Sequence, residues 1–289
     1  MNRRRFLAVA GTAAAGAAAL AVDGLWYEPR RALDVTTHHI ATAGESGRLT
    51  FAQITDLHLH AVGGLHLRIA AEVRRASPDF VVVTGDAIDR ADRLPALDEF
   101  LSLLDPRLPK YAILGNWEHW ANVDLGALAE LYARHGGRLL VNETVLHESR
   151  AGAVAITGLD DLVGGRPDVY AALWNAPDAP RSLLLAHCPE YRDRLAGQAA
   201  AIRVGGTEMR PALDPAAIRF DAILSGHTHG GQVRVLGWAP IVPRGSGRYL
   251  RGWFRDDAAP PLYVCRGVGT SMLPVRLGCT PELAVFTLG

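Results

Sequence analysis

Five short stretches of this chain carry side chains that can bind metal ions, and an apolar run that favours a strand precedes each of them. The stretches are Asp56-Leu57-His58, Gly85-Asp86-Ala87-Ile88-Asp89, Gly115-Asn116-Trp117-Glu118, His187-Cys188-Pro189 and Gly226-His227-Thr228-His229-Gly230-Gly231. The apolar runs before them cover residues 49–54, 80–83, 111–114, 182–186 and 222–224. Carboxylate, imidazole and amide ligands suit one or two divalent first-row metals rather than a structural zinc site. The pattern predicts an active site assembled by folding from the tips of several strands.

The last stretch is the most specific of the five, because it places two imidazoles among glycines after an apolar run. Glycine allows the backbone to approach a bound ion closely. Each of the other fragments, taken alone, is equally compatible with an exposed turn or a helix cap. All five in this order favour a metal site over that structural interpretation.

The motifs and their order resemble those of the calcineurin-like metallophosphoesterases, whose pattern is D-x-H, G-D-x-x-D, G-N-H-D/E, H and G-H-x-H. The resemblance runs from Leu49 to the C-terminus and is greatest to an exported bacterial branch, which includes proteins similar to UDP-2,3-diacylglucosamine pyrophosphatases. It implies two metal ions with a fixed set of ligands. Asp56, His58 and His229 would bind one ion, Asn116, His187 and His227 the other, and Asp86 would bridge them.

The chemistry of these residue types supports that assignment. A bridging carboxylate holds two divalent ions about 3.5–4 Å apart, and a hydroxide between them can attack phosphorus in line. The second ion neutralises charge that develops on the phosphoryl oxygens. Asn116 contributes a neutral oxygen, so the centre keeps net positive charge for an anionic substrate. Asp89 is predicted to orient a ligand histidine or to cap the next turn rather than to bind metal.

Trp117 departs from the family pattern, which has histidine at this position. That histidine is thought to protonate the leaving oxygen or to bind the phosphoryl group, and an indole cannot act as an acid. His60 and His119 are the nearby candidates for an acid or a substrate contact, and the alternative for each is an exposed loop histidine. A further alternative is a leaving group that departs without a proton.

The predicted function is a metal-dependent hydrolase of a phosphomonoester, phosphodiester or pyrophosphate, acting on a phosphorylated small molecule or a lipid-linked substrate. The cofactors would be two divalent ions from the set Mn, Fe, Zn and Co. The alternative is a metal-containing binding protein of the same fold that has lost catalysis, which Trp117 would explain and the retained ligands oppose. The net charge of zero, with no basic run after the N-terminus, gives no indication of a nucleic-acid partner.

Short apolar strands alternate with amphipathic helices along residues 48–289, which predicts a single α/β (α+β) domain. Two mixed sheets packed face to face with helices outside would form a four-layer αββα sandwich, with ligands on loops at the strand ends. Helices are predicted over residues 65–75, 94–104, 125–134 and 168–175, and an antiparallel pair over 144–148 and 153–157. Residues 23–47 are predicted to be a linker.

Residues 1–22 are predicted to be a targeting segment. Arg3-Arg4-Arg5-Phe6-Leu7 forms a twin-arginine pattern, and a weakly hydrophobic stretch of alanine and glycine follows it. Such signals pass folded proteins to the Tat export machinery, so the expected location is the periplasm or cell envelope. Ala19-Leu20-Ala21 resembles a cleavage site, and the other outcome is an uncleaved segment that associates with the membrane.

The chain has three cysteines, so at least one is free or paired between chains. Cys188 follows His187, but successive residues of a strand point to opposite faces, so we expect a buried structural thiol. Cys265 and Cys279 are either free or paired after export.

Overall fold

A computed structural model describes residues 22–42, 47–201, 219–234, 237–257 and 259–289. The predicted targeting segment therefore lies outside the described residues, except for Val22. Within these ranges, no helix is both long enough and apolar enough to cross a membrane.

Twelve strands and a set of short helices make up the described part of the chain. The strands are β1 (Asp34–Ile40), β2 (Leu49–Ile54), β3 (Phe80–Thr84), β4 (Lys110–Ile113), β5 (Gly137–Leu139), β6 (Glu143–Ser149), β7 (Gly152–Gly158), β8 (Ser182–Leu185), β9 (Ala222–Ser225), β10 (Gly252–Asp256), β11 (Ala259–Val264) and β12 (Glu282–Leu288). The α-helices are α1 (Glu28–Arg30), α2 (Gly64–Ala76), α3 (Leu94–Ser102), α4 (Asn116–Trp120), α5 (Leu125–Arg134), α6 (Val169–Leu173) and α7 (Tyr191–Ala201).

The strands form two six-stranded mixed sheets. The first has the order β1-β12-β2-β3-β4-β5, in which β2 to β5 are parallel and β12 is antiparallel to β2. The second has the order β10-β11-β9-β8-β7-β6, in which β11, β9, β8 and β7 are parallel. Strands β10 and β6 run antiparallel to their neighbours at its two edges, and the β6–β7 pair agrees with the antiparallel prediction.

Alternating side chains along the strands separate the core into layers. In β2, Phe51 joins the cluster between the two sheets, whereas Ala52 and Ile54 join the cluster beneath the helices. That outer cluster includes Ile69 of α2 and Leu128 of α5. A third cluster packs α6 and α7 on the outer face of the second sheet. The predicted four-layer αββα sandwich is confirmed.

The prediction of a linker over residues 23–47 is wrong where the chain forms β1, which pairs in parallel with β12 along the edge of the first sheet. An edge strand exposes much of its surface, so β1 lacks the apolar pattern that marks the inner strands. Ile40 of β1 is buried in the cluster between the sheets, and the ring of His38 lies 4.4 Å from that of Tyr263 and 5.1 Å from that of Phe286 between centroids. Residues 34–40 therefore belong to the domain.

The single lysine of the chain, Lys110, is buried at the start of β4. Its Nζ donates hydrogen bonds to the carbonyl oxygens of Asp105, Leu108 and His135 at 2.8, 2.8 and 2.7 Å. Three donors meet three acceptors, so Lys110 fixes the loops that precede β4 and β5.

Candidate metal centre

The ends of parallel neighbouring strands bring the five predicted motifs to one side of the sandwich. In the first sheet, β2, β3 and β4 are parallel neighbours, as β8 and β9 are in the second. Hydrogen bonds join the two sets of strand ends: His187 Nδ1 donates to the carbonyl of Thr84 at 2.7 Å, and Gln53 Nε2 donates to the carbonyl of Ser225 at 3.1 Å. The motifs of both sheets therefore face one another.

The first group of potential ligands consists of Asp56, His58 and His229, whose ligand atoms all lie within 4.8 Å of one another. His58 Nε2 is 3.1 Å from His229 Nε2, and His229 Nε2 is 3.5 Å from Asp56 Oδ1. All three side chains are buried. This is the trio predicted for one metal ion.

The second group consists of Asp86, His187 and His227, again within 4.8 Å of one another. His187 Nε2 is 3.1 Å from Asp86 Oδ2 and 3.3 Å from His227 Nδ1. Asp86 Oδ2 is also 3.6 Å from His58 Nε2 of the first group. Asp86 thus lies between the two groups, which is the position that a bridging ligand requires.

Asn116 is the first residue of α4, and its side chain is buried. Its Oδ1 has no hydrogen-bond partner, and neither has the buried Nδ1 of His58. A buried amide oxygen without a partner is costly in a folded protein. A metal ion would supply the missing partner for Asn116, so this orphaned oxygen fits the predicted ligand role.

Burial dominates the electrostatics of the centre. It raises the pKa of Asp56 to about 7, and it lowers the pKa of His227 to about 4 and that of His229 well below its usual value. Burial also opposes protonation of His187, but the adjacent Asp86 carboxylate raises the pKa of His187 well above its usual value. Imidazoles and desolvated carboxylates in such close contact are the donor set that a divalent cation stabilises.

The backbone at the centre is strained. Five of the predicted ligands adopt positive φ angles, which are uncommon for residues other than glycine. These residues are Asp56 (52°), His58 (41°), Asp86 (51°), His227 (72°) and His229 (50°). Strained backbone conformations of this kind concentrate at functional sites, and they persist only where the surrounding structure holds them in place.

Two motif glycines are required by close packing against the carboxylates. A Cβ atom at Gly115 would collide with Asp86 Oδ1, and one at Gly226 would collide with Asp56 Oδ2. His227 N also donates to Asp56 Oδ1 at 2.9 Å, and Trp117 N donates to Asp86 Oδ1 at 2.9 Å. The backbone therefore positions both carboxylates directly.

Glu118 holds the loop that carries Asp86, a role that the sequence did not predict. Its buried carboxylate accepts hydrogen bonds from the backbone N–H groups of Gly115, Asp86, Ala87 and Ile88, at 2.7–3.2 Å. Burial and the charge of Asp86 raise the pKa of Glu118 to about 7, whereas the four donors favour its carboxylate form. An acidic residue at the third position of a helix that starts after glycine is the sequence signal for this arrangement.

Trp117 is half-buried and covers one side of the first ligand group. Its ring meets the ring of His58 edge-on, with 5.8 Å between centroids, and it packs against Trp120 at 5.4 Å. The side chain at the position of the family histidine therefore contributes an apolar wall and no acid.

The two histidines predicted as replacements have different surroundings. His60 is largely exposed, and its Nε2 is 3.3 Å from Asp89 Oδ2. His119 is mostly buried, and its Nε2 is 2.6 Å from Asp160 Oδ1, a hydrogen bond that raises the pKa of His119. A Cβ atom at Gly164 would contact both His119 Cβ (2.9 Å) and Asn116 Cα (3.0 Å), so His119 flanks the residue predicted as a ligand.

Asp161 is a second buried carboxylate that the sequence did not single out. It accepts hydrogen bonds from Val163 N at 2.7 Å, from Gly164 N, and from Cys188 Sγ at 3.2 Å. Its position after β7 matches the strand-end rule that marked the other motifs. Cys188 is a buried thiol as predicted, and Cys265 and Cys279 are also buried and free.

Comparison with known proteins agrees with this geometry. The family model of the calcineurin-like phosphoesterases matches residues 49–231, which is more than half of the chain. The chain belongs to this family, and it is a hydrolase that acts on phosphoester bonds. The matched range contains all seven predicted metal ligands.

Individual relatives cover most or all of the chain. The uncharacterized metallophosphoesterase YkuE of Bacillus subtilis is 29% identical over 100% of this chain and 98% of its own length. An uncharacterized metallophosphoesterase of Aquifex aeolicus is 30% identical over 74% of each chain. The phosphodiesterase YaeI of Escherichia coli is 26% identical over 100% of this chain and 99% of its own length.

Proposed function

We propose that the protein hydrolyses phosphodiester or pyrophosphate bonds with two divalent metal ions. Asp56, His58 and His229 would hold one ion and Asn116, His187 and His227 the other, with Asp86 shared. The observation that carries this proposal is the position of Asp86 Oδ2, which is 3.1 Å from His187 Nε2 and 3.6 Å from His58 Nε2. One carboxylate oxygen thus faces both ligand groups.

The residues of the chain prepare the centre for the reaction. When bound, the two ions would supply Lewis acidity and an activated water for attack on phosphorus. Glu118 accepts a hydrogen bond from the Asp86 backbone, Trp117 N donates to the Asp86 carboxylate, and His227 N donates to that of Asp56. These contacts fix the carboxylates before substrate arrives, so little reorganisation is required during the reaction.

The surroundings of Trp117 support a substrate with a good leaving group. The indole cannot protonate a leaving alkoxide, whereas an aryl oxide or a phosphate released from a pyrophosphate departs without that help. His119, hydrogen-bonded to Asp160, is the best-placed replacement acid because that contact favours its protonated form. The name of the relative YaeI, a phosphodiesterase, favours a diester over a monoester.

We further propose that the protein acts in the periplasm or cell envelope on a lipid-linked or other phosphorylated substrate. The support is the twin-arginine pattern at Arg3 and Arg4 and the resemblance to UDP-2,3-diacylglucosamine pyrophosphatases. A reporter fused to residues 1–22 should be exported through the Tat machinery. Export that is unaffected when both arginines are changed to lysine would contradict this location.

Turnover of bis-p-nitrophenyl phosphate and p-nitrophenyl phosphate tests the function. The purified full chain is stripped with a chelator and reconstituted with Mn²⁺, Fe²⁺, Zn²⁺ or Co²⁺ in turn. We expect no turnover after stripping, recovery with at least one ion, and faster hydrolysis of the diester. Two ions bound per chain without turnover of either ester would instead identify a binding protein that has lost catalysis.

A further inference from the structure

Two loops next to the metal centre expose large apolar side chains. Trp238 and Ile241 of the first loop are 68% and 73% exposed, and Met272 and Leu273 of the second are 89% and 61% exposed. We call these four residues the apolar rim. Apolar side chains that cluster on a protein surface mark an interaction site, whereas single exposed ones need no explanation.

The two loops of the apolar rim border one cavity. The cavity has a volume of about 210 Å³, and Ile241, Met272 and Leu273 contribute to its wall. His229, a member of the first ligand group, also lines it. Three residues of the apolar rim, Ile241, Met272 and Leu273, are therefore continuous with the metal centre.

Arginines flank the apolar rim in the sequence, and two of them are paired with carboxylates, Arg248 with Asp256 at 3.1 Å and Arg266 with Glu282 at 3.0 Å. Residues 222–255 contain five arginines and no aspartate or glutamate, and residues 259–281 contain two arginines and no acidic residue. Arg234 and Arg244 flank the first loop. Arg234 Nη2 donates to the carbonyl of Gly237 at 2.8 Å, which holds this guanidinium group beside the first loop.

We propose that the apolar rim inserts into an anionic lipid surface while the flanking arginines contact its phosphate headgroups. Apolar side chains bordered by arginine are the combination by which proteins bind the interface of anionic bilayers. Docking in this way would turn the metal centre toward lipid-linked phosphoesters. That consequence rests on the proposed function, whereas the binding itself does not.

Site-specific fluorescent labelling tests whether the apolar rim contacts the lipid. Because the three native thiols are buried, Met272→Cys in the full chain can be labelled selectively with a polarity-sensitive fluorophore. Vesicles of phosphatidylglycerol and phosphatidylcholine should shift its emission to the blue, and pure phosphatidylcholine should do so much less. The control is Trp174→Cys, at a 56% exposed residue next to α6, which should not respond. Vesicle binding without a signal from Met272→Cys would overturn the proposal.

Partitioning of the protein between buffer and anionic vesicles measures how much the apolar rim contributes to lipid binding. Removing each large apolar contact should weaken binding about 10-fold, so Trp238→Ser/Met272→Ser should sediment far less with anionic vesicles than wild type. Trp174→Ser should sediment like wild type. All variants retain residues 1–22, so any contribution from that segment is the same in each.

Two other results would overturn the proposal. The first is equal partitioning of wild type and the double variant. The second is a wild-type dimer in analytical ultracentrifugation that the double variant dissociates, which would assign the apolar rim to a second copy of the chain. Hydrolysis of the water-soluble diester should be the same in wild type and in the single variant Trp238→Ser, because Trp238 does not line the cavity that His229 borders. Failure of lipid binding would therefore leave the hydrolase assignment intact.

Discussion

Glu118 is the buried acceptor on which the loop carrying Asp86 depends. Its Oε2 accepts from Gly115 N and Asp86 N at 2.9 and 3.2 Å, and its Oε1 accepts from Ala87 N and Ile88 N at 2.7 and 3.2 Å. Glu118→Gln replaces one oxygen with an amide nitrogen, so two N–H donors lose their acceptor in either orientation of the amide. Each buried unsatisfied donor costs about 1–3 kcal/mol, which predicts a loss of about 2–6 kcal/mol in the free energy of unfolding.

Urea denaturation followed by circular dichroism measures this loss. The matched control is Glu72→Gln, because Glu72 pairs with Arg75 on the surface at 2.6 Å and such pairs contribute only about 0–1 kcal/mol. The metal content of Glu118→Gln should also fall, since the loop that positions Asp86 is no longer held. A free energy of unfolding within about 0.5 kcal/mol of wild type, with full metal content, would refute the role of Glu118.

Three further substitutions test separate features. Trp117→His restores the family histidine and should accelerate the hydrolysis of esters with alkyl leaving groups most. The gain should be on the scale of general-acid catalysis, about 10²–10⁴-fold. A wild-type rate that does not depend on leaving-group pKa would show that another acid already acts. Burial lowers the pKa of His66 from 6.5 to about 4, so the unfolded chain binds the proton first and stability falls as the pH drops through that range. His66→Gln should remove up to about 3 kcal/mol of this pH dependence in denaturation measurements, and an unchanged slope would contradict the shift. Lys110→Met should cost about 3 kcal/mol, because three carbonyl oxygens lose their donor, whereas the exposed control Arg107→Met should cost almost nothing.

The sequence predicts most of the inner strands and the convergence of the site, because both depend on local signals. Apolar runs give the positions of β2, β3, β8 and β9 to within about a residue or two. A polar motif at the end of each parallel strand is sufficient to place Asp56, Asp86 and His187 near one another. The convergence of these three residues follows from the direction of the strands alone.

The features that the sequence does not show depend on contacts between distant parts of the chain. Strand β1 is held by β12, more than two hundred residues away, and its own pattern is polar. Glu118 and Asp161 act through backbone N–H groups of loops whose shape exists only after folding. The apolar rim likewise forms from two segments that are apart in sequence, Trp238–Ile241 and Met272–Leu273.

The metal stoichiometry of wild type, Asp86→Ala and His229→Ala tests the two-metal centre most directly. Inductively coupled plasma mass spectrometry of the purified full chain should find two divalent ions per chain in wild type. Asp86→Ala should lose bound metal and turnover of bis-p-nitrophenyl phosphate together, because Asp86 faces both ligand groups. His229→Ala should lose metal from one group only. Full metal occupancy and near-normal turnover in Asp86→Ala would contradict a shared bridge.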